Sequence, residues 1–195
     1  MAGGTDEAVP PTEFDALAEA TTGQSAEIAP ARQMGQDAGR TVINKVSGLP
    51  TDISLRSNLT PGQLPRVYAH ELGHAIDAIA GQIPVTGLNA ELRQVYSTLN
   101  TGQERTRNLT GPQHLGYRGD EVPRELIVEA IRAYMTDPNY LKTVAPKTAA
   151  RIREFVNSHP TLSKNIQFNS LAGPIASGIG TESPPPTQAE PVFPQ

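Results

Sequence analysis

The sequence predicts an α+β fold that is mostly helical and carries a small antiparallel sheet packed on one amphipathic helix. Two observations lead to this fold class. Apolar residues recur at helical spacing in four segments, whereas only two short segments are rich in β-branched residues. The helical segments are 61–81, 89–99, 123–136 and 146–157, and the strand segments are 41–46 and 52–56. At 195 residues, the chain is long enough for one domain with a buried core.

The composition argues against several classes of protein. The chain has no cysteine, which excludes a disulfide scaffold and a zinc site built on thiolates. Its net charge is −4 and no cluster of Lys and Arg occurs, so we expect no nucleic-acid partner. No apolar run is long enough to predict a membrane span. The N-terminus does not have the pattern of a signal peptide, so the localisation is left unassigned. Secretion by another route, injection as an effector and membership of a larger polypeptide stay open.

Composition divides the chain into three parts. Residues 1–36 are rich in small and polar side chains and are predicted to be a flexible lead-in, with room for a short helix at 13–20. Residues 37–172 contain the periodic segments and are predicted to be the folded domain. Residues 173–195, which include the run SPPPTQAEPVFPQ, are predicted to be a Pro-rich disordered tail.

The two strand segments come first in the predicted domain. Thr41–Val46 and Asp52–Arg56 contain alternating or β-branched residues, and the residues Ser47-Gly48-Leu49-Pro50 between them favour a turn. We therefore expect an antiparallel pair of strands that covers the helix that follows.

A capping box marks the start of that helix. Thr60 and Gln63 have the T-x-x-Q spacing and Pro65 is tolerated in a first turn, so the helix begins within 61–65. Gly81 is expected just beyond its end. The apolar residues of one face are Tyr68, Leu72, Ala75, Ile76 and Ile79. The other face is polar, which indicates a helix that lies between a core and a cleft.

This helix carries the motif His70-Glu71-Leu72-Gly73-His74. Residues at i and i+4 share a helix face, so both imidazoles can point at one ion. Two neutral imidazoles and an adjacent carboxylate are what a hydrolytic zinc site requires, because they supply two ligands and a base for the metal-bound water. The motif is short and occurs by chance, so the rest of the site has to be found elsewhere.

A catalytic zinc usually keeps three protein ligands, and three sources of the third can be compared. The extended pattern H-E-x-x-H-x-x-G-x-x-H is excluded, because its third histidine position holds Ala80. His114 could reach a metal from the polar loop 101–120, which also contains Tyr117. Glu125 could reach it from the helix that starts at Pro123, which is a good first helical residue.

Glu125 and Glu129 are one helical turn apart and share a face. They could form a solvated stripe of acids paired with Arg132. Alternatively, Glu125 completes a His2Glu ligand set, and Glu129 accepts the remaining N–H of a ligand histidine. We expect Asp77, like Glu129, to contact the ligand residues without binding the metal itself.

Three stretches of the chain resemble the catalytic domain of the anthrax lethal-factor-like metallopeptidases, which are zinc peptidases of the gluzincin type. They are HELGHAIDAIAG, ELIVEAIRAYM and VAPKTAARIREFVN, and the resemblance covers about residues 65–157. It implies a zincin-like fold in which His70, His74 and Glu125 bind zinc. The chain departs from the family pattern at Val128 and Ile131, where the family tends to have Ala and Phe.

The resemblance also implies the roles of the other residues. Glu71 would be the catalytic base and Glu129 would support a ligand. A tyrosine before the helix of the third ligand can bind the oxyanion in this family, and Tyr117 is the matching candidate. In zincins, an edge strand before the active-site helix is where an extended substrate adds its backbone.

The function predicted from these residues is that of a zinc-dependent endopeptidase that hydrolyses peptide bonds of a protein substrate. The resemblance implies a bacterial toxin or effector domain. The alternative is a catalytically inactive zincin-like domain that serves binding or structure in a larger phage or effector polyprotein.

Overall fold

The computed structural model describes residues 8–104 and 111–168, and these residues form eight α-helices, two short 3-10 helices and a three-stranded sheet. The predicted fold class is confirmed: α+β, mostly helical, with a small sheet. Within these ranges, no helix combines the length and the apolar character that a membrane span requires. The Pro-rich tail predicted at 173–195 lies outside the described residues.

The N-terminal part of the chain differs from the predicted flexible lead-in. Helix α1 spans Phe14–Thr22, and Phe14 is only 1 % exposed. The Phe14 ring meets the Tyr68 ring edge to face at 5.5 Å, and the Tyr68 hydroxyl donates a hydrogen bond of 2.6 Å to Asp15. This segment has few apolar residues, but those few insert into the core of the domain. The folded unit therefore includes residues that composition alone assigns to a flexible lead-in.

The sheet consists of strands β1 (Glu27–Ala29), β2 (Gly39–Ile43) and β3 (Pro50–Arg56), in the order β1-β3-β2. Strands β2 and β3 are antiparallel, as predicted, and Thr41 pairs with Ile53. Strand β1 pairs in parallel with β3, so the sheet is mixed rather than wholly antiparallel. With three residues, β1 is too short to show a period of two, which explains why the sequence does not predict it.

Helix α2 (Ala31–Met34) connects β1 to β2, and helix α3 (Leu64–Ile79) follows the sheet. The predicted capping box is present, because the Thr60 amide donates to the Gln63 side chain at 3.0 Å and the Gln63 amide donates to Thr60 Oγ1 at 3.3 Å. The predicted apolar face is buried at Tyr68, Leu72, Ala75 and Ile76. Helix α3 is thereby fixed between the core and the polar residues of its other face.

Helix α4 spans Asn89–Glu104 and is five residues longer than predicted. A short 3-10 helix at Pro112–Leu115 occupies part of the predicted loop, whose residues 105–110 lie outside the described ranges. Helix α5 spans Glu121–Thr136 and begins two residues before Pro123. It packs against both α3 and α4, and every residue from Glu125 to Met135 is buried.

Three shorter helices complete the domain: α6 (Pro138–Val144), α7 (Pro146–Ser158) and α8 (Leu162–Asn165). Asp137 caps α6 by accepting a hydrogen bond of 3.0 Å from the Tyr140 amide.

A carboxylate from another helix caps α7. Glu91 Oε2, on α4, accepts hydrogen bonds from the Thr148 amide at 2.7 Å and the Thr148 hydroxyl at 2.8 Å. The segment Ala145-Pro146-Lys147-Thr148 thus joins α7 to α4 and does not line the site described below.

Candidate metal centre

Three side chains from two helices converge on one point. His70 Nε2 and His74 Nε2, both from α3, lie 3.2 Å apart. A Glu125 oxygen, from α5, lies 3.5 Å from His70 Nε2, and the other lies 3.3 Å from His74 Nε2. Among the described residues, His70, His74 and Glu125 form the group of three or more His, Cys, Asp or Glu side chains that could hold one metal ion.

The spacing of these atoms fits one small ion. Two ligand atoms bound at 2.0–2.1 Å to a tetrahedral zinc are about 3.3 Å apart, because the bonds meet at the tetrahedral angle. The separations of 3.2, 3.3 and 3.5 Å are close to that value, with His70 and His74 facing different oxygens of Glu125. Two imidazole nitrogens and a carboxylate also form a donor set that suits zinc. The three residues could therefore hold one small metal ion.

Gly73 lets the two helices approach closely at this point. A Cβ atom added to Gly73 would lie 3.0 Å from the carbonyl oxygen of Val128 and 3.1 Å from its Cγ1. With a larger residue, the Val128 backbone would have to shift by a few tenths of an ångström. The close contact lies next to two ligands, since His74 follows Gly73 and Glu125 lies one turn before Val128.

Glu129 supports His70 from the side opposite the ligand group. Its Oε1 lies 3.1 Å from His70 Nδ1, and because an ionised carboxylate only accepts hydrogen bonds, Nδ1–H is the donor. In the neutral imidazole, the lone pair is then on Nε2, where a metal would bind. Arg132 in turn donates to Glu129 Oε2 from Nε at 2.7 Å. The predicted role of Glu129 therefore has a geometric basis.

The alternative of a solvated acidic stripe on α5 does not fit the structure. Glu125, Glu129 and Arg132 are all buried, each about 5–6 % exposed. The pairing of Glu129 with Arg132, which belonged to that alternative, does occur. It coexists with the bond to His70, because each Glu129 oxygen has its own partner.

The pKa values reflect these contacts in the protein without a bound metal. Burial alone would lower the pKa of His70, but hydrogen bonds to Glu125 and Glu129 raise it to about 10. Burial acts to raise the pKa of Glu125, but hydrogen bonds from His70 and His74 lower it to about 2. The pKa of Glu129 is lowered as well, since the bonds to His70 and the charge of Arg132 outweigh its burial. A positive charge is thus strongly favoured between these carboxylates.

Glu71 is buried beside the ligand group, at the wall of a cavity of about 510 Å³. The cavity is also lined by His70, Tyr117 and Glu125. The Thr41 hydroxyl donates to Glu71 Oε2 at 2.8 Å. The structure therefore brings the predicted base, His70 and Glu125 to the same cavity, where a water molecule and a substrate could meet them.

Tyr117 reaches this cavity from the segment between α4 and α5. Burial raises the pKa of its hydroxyl above the ordinary value, and the negative charges of Glu125 and Glu71 raise it further. The hydroxyl is therefore protonated at neutral pH and able to donate a hydrogen bond into the cavity.

Asp77 and His114 are the two other candidates. Asp77 pairs with Arg124 at 2.9 Å and accepts a hydrogen bond of 2.8 Å from the Ile83 amide, so it fixes the chain after α3 to α5. Burial raises the pKa of its carboxyl, against the charges of Arg124 and His74, so Asp77 also interacts electrostatically with a ligand histidine. Its predicted supporting role stays a prediction. His114 is exposed and does not belong to the metal-binding group of the described residues.

The sequence does not predict the contacts that Thr41 and Gly39 make with Glu71. Thr41 is 30 residues away from Glu71 in the chain, and the pairing depends on how β2 packs on α3. The signal in the sequence that could have indicated them is the period of a strand, because residues two apart, such as 39 and 41, face the same side.

No model of a known protein family, no curated protein and no solved structure matches this chain. The resemblance to the lethal-factor-like peptidases therefore stays a prediction from three sequence stretches. Fold and site together define an α+β domain with a group of two half-buried histidines and a buried glutamate that could hold a metal ion.

Proposed function

We propose that this chain is a zinc-dependent endopeptidase. The observation that carries the proposal is the convergence of His70, His74 and Glu125 on one point next to the buried carboxylate of Glu71. A metal site that serves only structure has four protein ligands as a rule, whereas three ligands leave a position for water or substrate. The nearby cavity is consistent with such an open position.

The chemistry divides between the metal and the chain. When bound, zinc acts as a Lewis acid that polarises the scissile carbonyl and lowers the pKa of water towards 7. Glu71 accepts a proton from the attacking water as the water oxygen bonds to the carbonyl carbon. Glu71 then passes that proton to the leaving amine as the C–N bond breaks. Tyr117 donates a hydrogen bond to the developing oxyanion.

Substrate and biological setting are supported by the sequence alone. A protein substrate follows from the proposed peptidase chemistry, and a bacterial toxin or effector role follows from the resemblance described above. Specificity is set by the shape of a pocket and its loops, so the fold does not name the target. New protein N-termini in a lysate treated with the wild-type protein, compared with Glu71→Gln, would identify it.

Glu71→Gln tests the proposal, because it removes the base and keeps the size of the side chain. Zinc content is measured by metal analysis, and cleavage is measured on fluorescein-labelled casein. We expect one zinc per chain in both proteins and a loss of about 10²- to 10⁴-fold in cleavage rate for Glu71→Gln. Glu154→Gln is the matched control, because Glu154 is exposed on α7, and it should cleave at the wild-type rate.

Two results would contradict the proposal. Equal cleavage by Glu71→Gln and wild type would exclude Glu71 as the base. Zinc bound by the wild-type protein without any cleavage of casein would favour the alternative, a zincin-like domain that serves binding or structure.

A further inference from the structure

We infer that Thr41 and Gly39 on strand β2 position the carboxylate of Glu71, so that the edge strand of the sheet orients the base of the reaction. The inference rests on the proposed function for the role of Glu71. The contacts themselves are features of the fold. By this inference, Thr41 and Gly39 act through Glu71 and contact neither the metal nor the substrate. They are therefore positioning residues.

Thr41 holds one oxygen of the carboxylate. Its Oγ1 lies 2.8 Å from Glu71 Oε2 and 2.9 Å from the main-chain carbonyl oxygen of Glu71. A hydroxyl has one proton to donate, and an ionised carboxylate is the stronger acceptor of the two. While Glu71 is ionised, the hydroxyl therefore binds Oε2 and fixes the plane of the carboxylate. Oε1 is left as the oxygen that can take up a proton.

Gly39 leaves space for the second oxygen. A Cβ atom at this position would lie 2.5 Å from Glu71 Oε1, 2.6 Å from its Cγ and 2.7 Å from Val67 Cγ1. Any side chain here would displace Glu71 from its present position. The absence of a Cβ atom at Gly39 is thus a steric requirement of the Glu71 side chain.

The two residues act from one face of one strand. Residues 39 and 41 are two apart in β2 and point to the same side, where α3 packs. Strand β2 is held in register by β3, through the pairs Gly39 with Leu55 and Thr41 with Ile53. A paired strand is a more rigid support than a loop. The carboxylate is therefore fixed by backbone that belongs to the sheet and not to the active-site helix.

Crystal structures of the zinc-loaded full chain test the positioning directly, without reference to activity. In wild type and in Thr41→Ser, which keeps the hydroxyl, Glu71 should hold one orientation with Oε2 bound to residue 41. In Thr41→Val, which keeps the shape and removes the hydroxyl, the carboxylate should turn or occupy several orientations. An unchanged, singly occupied Glu71 orientation in Thr41→Val would overturn the inference.

Kinetics on labelled casein give the second readout. Removal of a group that orients an active side chain typically costs about 10- to 100-fold, so Thr41→Val should lose that much in kcat while KM and zinc content stay constant. Thr41→Ser should recover most of the rate. Thr51→Val is the matched control: its hydroxyl bonds to the Val42 carbonyl on the same hairpin, away from Glu71, and its rate should equal wild type. Equal kcat in Thr41→Val and wild type would overturn the inference.

Gly39→Ala tests the steric half. It should lower kcat at least as much as Thr41→Val, with zinc still bound. Gly62→Ala, where a Cβ atom meets nothing within 4 Å, should have no effect. If the wild-type chain cleaves no protein at all, the proposed function fails, while the crystal structures still decide whether Thr41 orients Glu71.

Discussion

Glu129 Oε1 lies 3.1 Å from Nδ1 of His70, on the side of the imidazole that faces away from His74 and Glu125. This single contact defines the tautomer that the neutral His70 adopts and points its other nitrogen at the ligand group. A histidine that served only to pack or to cap would not need a buried carboxylate behind it. The contact also explains why Arg132 is buried, since it neutralises Glu129.

Replacing the buried pair Glu129 and Arg132 together should weaken zinc binding while keeping the fold. In Glu129→Leu/Arg132→Met both charges leave at once, so no uncompensated charge stays in the core. We expect the affinity for zinc to fall by about 10- to 100-fold, because His70 loses the partner that orients it. Competition with a chromophoric chelator measures the affinity. Glu154→Ala is the control, and equal affinities in the double variant and wild type would refute the supporting role of Glu129.

Glu125→Ala should remove the metal site itself. Loss of a direct ligand should weaken zinc binding by more than the roughly 10- to 100-fold expected for an outer partner. His114→Ala should bind zinc as wild type does. Metal analysis after desalting distinguishes the two. Full zinc content in Glu125→Ala together with loss in His114→Ala would move the third ligand to His114.

Zinc binding should release a proton from His70. Without a metal, the raised pKa of His70, about 10, keeps Nε2 protonated at pH 8, and zinc must replace that proton. The affinity should therefore rise with pH, by about tenfold per pH unit from this group, until the pH passes about 10. Calorimetry at pH 8 in two buffers of different ionisation enthalpy counts the protons.

The double variant Glu129→Leu/Arg132→Met is the control for this release. It lacks one of the carboxylates that raise the pKa of His70, so fewer protons should be released on zinc binding. Binding without any proton release by the wild-type protein would show that the metal does not replace a proton on His70 Nε2.

Glu91→Ala should destabilise the domain without changing the metal site. The Thr148 amide and hydroxyl lose their shared acceptor, and an unsatisfied buried donor costs about 1–3 kcal/mol. For a chain of this size, each kcal/mol lowers Tm by roughly 2–4 °C. Thermal unfolding of the metal-free protein measures the change, with Glu154→Ala as the control. An unchanged Tm would mean that Glu91 does not stabilise α7.

Local signals in the sequence predict the helices that begin at recognisable capping residues. The reciprocal bonds of Thr60 and Gln63 and the cap formed by Asp137 are both present, because such bonds depend only on residues a few positions apart. The convergence of His70 and His74 could also be predicted, since helical spacing places them on one face, whereas spacing alone left the third position open between Glu125 and His114.

Contacts between distant parts of the chain are what sequence patterns leave out. Strand β1 is too short for a period, and Phe14 enters the core because α1 folds back onto α3. Asp77 is near the ligands in sequence, yet Arg124 on α5 binds it. The bond from Thr41 to Glu71 likewise depends on how the sheet packs on α3.

Zinc binding by His70, His74 and Glu125 is measured most directly by X-ray absorption at the zinc edge, on protein loaded with one equivalent of zinc and desalted. The expected result is one zinc per chain, with two imidazoles and one or two further oxygens at about 2.0–2.1 Å. In Glu125→Ala, the retained zinc and its imidazole signal should be lost. A wild-type chain that keeps no zinc, or that holds it only in a shell of oxygens without imidazole, would contradict the proposed metal centre and the endopeptidase built on it.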